Sequence, residues 1–323
     1  MDVMSISHSE DLDGIAAATL IRMKYGLPAD RVMYIDYSTD RLESAGRWVE
    51  SLATPETTLF ITDLSVNDSK AGIYKKIIMS VKSKGGKVIY LDHHPWSETA
   101  AKEVAKMCDH ATFGEQKLCA SELTAKYLKL KGEGIKRLLH MCHLSDNNIK
   151  AKSEAERTMI RRYSMAITYY NTLPEKDKSD KLAWLSDIIS KGDMENPIIL
   201  FDADEFERAS KERTMEMLER LIFVGKNIAV GFADTIQPTY AASLIFRKAG
   251  RPIAIYVNTD LCKGSIRSTG IDISGIARSM GGGGHPCAAG FEFSKNRYDL
   301  RTERGRSLLI KRIESTAKEL GLL

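Results

Sequence analysis

The sequence predicts an α/β protein with a mostly parallel N-terminal sheet covered by helices, followed by a smaller C-terminal α/β domain. Short β-rich runs alternate strictly with helical runs over the first ninety residues, the pattern of a parallel sheet covered on both faces. A chain of 323 residues suits two domains of ordinary size better than one. Strand-like runs also resume after a long helical and charge-dense middle, which marks a second domain.

Taken in order, Val3 to Ser7 reads as a strand, Gly14 to Tyr25 as a helix closing at Gly26, Arg31 to Tyr37 as a strand and Arg41 to Leu52 as a helix. Thr58 to Thr62 and Lys87 to Leu91 are strands flanking a helix over Ser69 to Ser83 that closes at Gly85-Gly86. From Ala120 to about Tyr170 the pattern is helical, with a break at Lys131 to Gly134. Two charge-dense stretches follow, Pro174 to Asp180 and Asp204 to Arg220, and one of them is expected to be the linker. Beyond them Asn227 to Phe232, Pro252 to Val257 and Cys262 to Arg267 are strands, while Thr239 to Ala249 and Asp272 to Ser279 are helices. The expected domains are residues 1–195 and 225–323, joined by a helical linker over 196–224.

Composition excludes several classes. With 43% hydrophobic and 28% charged residues, 23 Gly and 8 Pro, neither disorder nor a collagen-like repeat fits. The longest uncharged apolar stretch, Gly14 to Ile21, is far short of the roughly 20 residues of a membrane-spanning helix, so no membrane contact is expected. An acid at position 2 argues against a signal peptide and for a cytoplasmic protein. Five cysteines without C-x-x-C spacing speak against a disulfide scaffold or a zinc ribbon and for reduced thiols. A net charge of +4 permits a phosphorylated substrate without requiring one.

Three polar clusters follow three of the predicted strands: His8 to Gly14, with Asp11 and Asp13, then Asp63, then Asp92-His93-His94. Strand carboxyl ends of an open parallel sheet converge on one crevice. Carboxylates gathered there repel one another unless cations lie between them, which points to a metal site. Each Asp alone also has an ordinary reading as a turn former or helix cap. Oxygen and imidazole donors without thiolate favour Mn²⁺, with Mg²⁺ or Co²⁺ as substitutes. His8, Asp11, Asp13, Asp63, His93 and one later acid suffice for two ions sharing Asp63.

A second constellation, Gly281 to Gly284 with His285 and a preceding Arg267-Ser268, reads as an anion cradle. Gly282, Gly283 and Gly284 let the backbone approach a ligand, Arg267 grips a phosphate and His285 donates to another oxygen.

These motifs resemble the DHH phosphoesterase family in the branch with a DHH-associated C-terminal domain, as in RecJ-like exonucleases and nano-RNases. Asp92-His93-His94 is the name motif, and His8 to Gly14, Asp63 and the Gly-Gly-Gly-His-x-x-Ala-Ala-Gly run at 282–290 follow the family's order. The resemblance implies an active site in the cleft between the two domains. It implies one ion on His8, Asp11 and Asp63 and another on Asp13, Asp63 and His93. It further implies that His94 faces the scissile phosphate, that Asp92 orients an imidazole, and that Arg267, Ser268 and His285 take the substrate's remaining groups. The spacing of His8 from Asp11 departs from several bacterial relatives, which leaves Glu10 as an alternative to Asp11. The family's fourth acid has no sharp local motif, and Asp146 is taken for it because it follows a helix at a reasonable separation from Asp92, with Asp109 and Asp187 as alternatives.

The expected function is Mn²⁺-dependent hydrolysis of short oligonucleotides or single-stranded RNA or DNA to mononucleotides. Cyclic-dinucleotide phosphodiesterase and 3′,5′-bisphosphonucleotide phosphatase activities share the same motifs. A different class is a non-catalytic nucleic-acid-binding subunit of a replication or RNA-processing assembly. His140 and His143, three apart on a helix, read as a core or surface pair before a metal pair. Trp96 is the one tryptophan near a motif and so a candidate for base stacking. An apolar stripe with Met159, Met165, Ile167 and Tyr169 offers a face for a homodimer, although such stripes are more often core.

Overall fold

In the computed structural model, residues 2–115, 117–147, 149, 151–292 and 298–323 are described. They fall into two compact units, 1–204 and 205–323. The first unit contains β1 (Asp2–His8), α1 (Leu12–Tyr25), β2 (Val32–Ile35), α2 (Thr39–Leu52), β3 (Thr57–Thr62), α3 (Asp68–Lys82), β4 (Lys87–Leu91), α4 (Glu98–Val104), β5 (His110–Thr112), α5 (Ala120–Leu128), α6 (Glu133–Asp146), α7 (Glu154–Tyr170) and α8 (Glu175–Ser190). Helix α9 (Pro197–Glu219) runs from the first unit into the second. The second unit continues with β6 (Ile222–Val224), β7 (Ile228–Ala233), α10 (Pro238–Ala249), β8 (Ile253–Asn258), β9 (Lys263–Ser268), α11 (Ser274–Ser279), β10 (Gly283–His285), β11 (Ala288–Glu292) and α12 (Glu303–Glu319).

The first sheet has the order β2-β1-β3-β4-β5 with every described pairing parallel. This is a doubly wound order whose direction reverses between β1 and β3, and such a reversal opens a crevice at the strand carboxyl ends. Ser7 pairs in register with Thr62, so His8 and Asp63 leave the sheet side by side at that reversal. One face is packed by residues of α2, α3 and α4, including Leu42, Val49, Ile77, Ile78 and Val81, and the other by Leu20, Ile21, Ala125 and Leu128. Helix α1 is buried from Leu12 to Ile21 all round its circumference, and its alanine run lets neighbouring helices approach closely. Gly14 is required at its start, because a Cβ there would lie 2.4 Å from the His8 carbonyl oxygen.

The second sheet is mixed, in the order β10-β11-β9-β8-β7-β6, with β7 and β8 parallel across the α10 crossover. Two local expectations are corrected. Pro174 to Asp180 is not a break: Pro174 caps α8, and Glu175 and Asp177 occupy its first turn, where carboxylates favour the helix dipole. The strand expected over Arg31 to Tyr37 contracts to β2, because Asp36 turns the chain by accepting from the Ser38 amide and hydroxyl. Within the glycine run, Gly283 to His285 pair with β11 as an edge strand. No helix among the described residues is long and apolar enough to cross a membrane.

Candidate metal centre

The site is assembled from strand exits. His8 ends β1, Asp63 follows β3, and Asp92, His93 and His94 follow β4. Ser7 fixes the first two relative to each other, its hydroxyl lying 2.6 Å from both the Gly14 carbonyl oxygen and the Thr62 hydroxyl. Asp63 has φ of 56°, a left-handed conformation that Asp tolerates better than most residues. His93 Nε2 lies 3.6 Å from Asp63 Oδ1 and 3.5 Å from Asp146 Oδ2, so one imidazole joins two carboxylates. Ligand atoms of Asp13, His93 and Asp146 lie within 4.8 Å of one another, as do those of Asp63, Asp92 and His94.

Asp11 and Asp13 play different parts. Asp11 caps α1, accepting from the Gly14 amide at 3.0 Å, while its other oxygen lies 3.7 Å from His8 Nε2. Its side chain is 45% exposed, so it sits at the rim. Asp13 is buried, and its two oxygens accept the Ala120 and Ser121 amides at 2.6 and 2.9 Å, tying the site to the N-terminus of α5. Asp146 is the last residue of α6 and reaches His93. The two alternatives are engaged elsewhere: Asp109 pairs with Lys82 and accepts from Val88, and Asp187 pairs with Arg22.

The electrostatics are those of an uncompensated acidic cluster. Asp63 is 1% exposed, and among the described residues neither of its oxygens has a hydrogen-bond donor. Burial first, and then Asp11, Asp13, Asp146 and Asp92, push its carboxyl well above the usual range. Burial and the same neighbours, Asp13 foremost, push Asp146 up to about 8. Burial lowers His93, and His94 lowers it further. Burial would also lower His94, yet the Asp92 carboxylate at 2.8 Å outweighs it and raises the imidazole to about 9. Burial works against ionisation of Asp92, but His94 holds its carboxyl below the usual range. Buried carboxylates without donors are costly, and divalent cations are the ligands that such oxygen and imidazole donors fit. Cys119 and Cys142 lie nearby, but burial pushes both thiols up, so no thiolate joins the set.

Some features were missed in the sequence. Tyr37 packs its ring 4.6 Å from that of His8, and its hydroxyl donates to the Asp63 carbonyl oxygen at 3.1 Å. It follows β2, so the strand-exit rule could have found it. Asn171 clamps Ser9 from 162 positions away, donating to its carbonyl and accepting from its hydroxyl. Trp96 is not a base platform: it is 9% exposed, stacks on Phe113 and donates its indole N–H to Asp92. His140 lies near Glu156 and His143 pairs with Glu122, so the two serve separate partners.

In the second unit, Arg267 pairs with Ala288 and Ala288 with His285, which places Arg267 and His285 in one row across three strands. The Arg267 guanidinium donates to Ser265 and the Ile266 carbonyl, and the Ser268 hydroxyl to the Ile271 carbonyl. A Cβ on Gly282 would lie 2.0 Å from the Gly290 carbonyl oxygen, and one on Gly284 2.7 Å from that of Ala288. Gly283 meets nothing within 4 Å.

Residues 231–319 match the DHHA1 domain family. No curated protein sequence matches the chain. Among solved structures it is similar to RecJ in complex with Mn²⁺ from Thermus thermophilus, at 15% identity over 98% of this chain and 52% of that one, with a TM-score of 0.55. It is also similar to an exonuclease RecJ bound to manganese, at 14% identity over 98% of this chain and 90% of that one, with a TM-score of 0.52. The pGpG-specific phosphodiesterase PggH from Vibrio cholerae matches at 11% identity over 97% of this chain and 99% of that one, with a TM-score of 0.52. At these identities the likeness is one of fold.

Proposed function

We propose that this chain, in which residues 231–319 match the DHHA1 domain family, belongs to the DHH phosphoesterase family and is a divalent-metal phosphodiesterase that cleaves short oligonucleotides to mononucleotides. The observation that carries the reading is the buried Asp63 carboxylate, which among the described residues lacks a donor on either oxygen and is surrounded by His93, Asp146 and Asp13. His8, Asp11 and Asp63 would hold one ion, and Asp13, Asp63, His93 and Asp146 a second. Mn²⁺ is the favoured metal. Bound there, the ions would lower the pKa of water and offset phosphate charge.

The protein's own groups supply the rest. Asp92 holds a proton on His94 Nδ1, leaving Nε2 as the atom that stabilises or protonates a departing oxygen. Asp13 fixes the cluster against α5, and Tyr37 fixes the His8 ring. Arg267 and His285, in one row of the second sheet, would take the remaining phosphate and sugar groups, with Ser268 beside them and Gly283 leaving room for the ligand. Short substrates are favoured because 97% of this chain aligns with 99% of a phosphodiesterase described as pGpG-specific.

The test is turnover with Mn²⁺ on end-labelled RNA and DNA from dinucleotides upward, beside a cyclic dinucleotide and a 3′,5′-bisphosphonucleotide, with Asp63→Asn as control. Stepwise release of mononucleotides from the shortest strands, lost in the variant, is expected. Hydrolysis of the cyclic dinucleotide or the bisphosphonucleotide alone would replace this substrate assignment. Silence on all of them with metal bound would contradict it.

A further inference from the structure

The loop from Asp92 to Trp96 is braced by the exit of β5: the Asp92 amide donates to the Thr112 carbonyl oxygen and the Gly114 amide to that of His94, both at 2.9 Å. Trp96 lies inside this brace. Its indole stacks on Phe113 with centroids 4.5 Å apart and rings 12° from parallel, and it meets Tyr90 edge-on at 4.6 Å. Thus fixed in angle, it donates Nε1–H to Asp92 Oδ2 at 2.6 Å. The other oxygen, Oδ1, lies 2.8 Å from His94 Nδ1. The Asp92 carboxylate therefore gives one oxygen to each ring. Held at Oδ1 alone it could turn about its Cβ–Cγ bond, whereas held at both its plane is set, and with it the direction of the His94 ring.

We infer that Trp96 is a positioning residue for the hydrolysis proposed above: its indole N–H locks the Asp92 carboxylate so that His94 presents Nε2 in one orientation. The kinetic consequence rests on that functional reading, and the hydrogen-bond lock does not. Packing alone would need only an aromatic ring, which Phe supplies. What Phe lacks is the N–H spent on Asp92.

Trp96→Phe keeps the ring and removes that donor. On the phosphoester that the turnover assay above identifies, kcat is expected to fall about 10- to 100-fold while KM and Mn²⁺ affinity stay within about twofold. In an Asp92→Ala background the same substitution is expected to change kcat by less than about twofold, because its effect travels through the Asp92 carboxylate. An equal loss in both backgrounds overturns the inference. A second readout needs no activity. In proton NMR of the metal-free full chain, a downfield His94 Nδ1–H resonance, identified by its loss in His94→Gln, is expected to shift or broaden away in Trp96→Phe. An unchanged resonance also overturns the inference. Should Trp96→Phe fail to fold, the Trp96 indole N–H resonance in Asp92→Ala decides: an upfield move supports the lock and a fixed position refutes it. If the wild type cleaves no phosphoester, the functional reading fails and the NMR arm still decides the lock.

Discussion

At the exits of the parallel sheet, side chains carry charge that the protein itself does not neutralise, whereas in the glycine hairpin of the mixed sheet backbone packing already accounts for most of the sequence. Asp63 is buried, with no donor on either oxygen among the described residues. Gly282 and Gly284, by contrast, are fixed by carbonyl oxygens that a side chain would strike. An acidic cluster that raises its own members' pKa has no structural advantage, so its presence argues for a cation. Three of the four glycines, however, would be needed even if nothing bound beside them, Gly281 for its φ of 83° and Gly282 and Gly284 for their contacts. Unsatisfied charge thus argues for ligand binding more strongly than backbone permissiveness does.

The largest expected effect breaks the first half of this comparison. Asp63→Asn keeps the shape and tolerates the left-handed φ, yet removes the central charge. Hydrolysis is expected to fall by about 10³-fold or more. The metal-free variant should melt higher than wild type by about 2–6 °C, since like-charge repulsion is relieved. A variant that melts lower without metal would remove the case for a strained acidic cluster.

The glycine hairpin offers a sharper division. Gly284→Ala is expected to cost about 1–3 kcal/mol by chemical denaturation, because a Cβ would clash with β11 and φ is +133°. Gly283→Ala should leave stability nearly unchanged and raise KM. If Gly283→Ala is kinetically silent, the hairpin serves packing alone.

A smaller effect concerns pH. Folded and metal-free, Asp146 keeps its proton to about 8 and His94 to about 9, whereas unfolded they release them near 3.9 and 6.5. The folded state therefore binds more protons above pH 6.5, and stability falls as pH rises from there to about 9. The lowered His93 acts in the opposite sense, but only as pH falls below about 6.5. Melting temperatures of the metal-free protein should decline over pH 6.5–9, and bound Mn²⁺ should flatten that decline.

Much of the first unit was legible because a parallel sheet gathers its chemistry at strand exits. His8, Asp63 and Asp92-His93-His94 each follow an apolar run that is recognisable as a strand, so their convergence can be read in one dimension. The strand order cannot, and neither can the Asp13 contact with amides 107 and 108 positions away or the Asn171 clamp on Ser9. Those depend on helices docking over long separations and leave no local pattern. Tyr37 was legible and overlooked, since it obeys the same rule as the other exits. The edge strand at Gly283 to His285 was hidden because glycine is a poor strand former, and its reason for being there is a neighbouring backbone.

The central claim is that the buried acidic cluster is a metal centre, and Mn²⁺ binding to the metal-free wild type and to Asp63→Asn, followed by titration calorimetry, tests it most directly. Two ions per chain for the wild type, with the variant losing at least one, is the predicted result. A folded wild type that binds no Mn²⁺, or a variant that binds it equally well, would contradict the account.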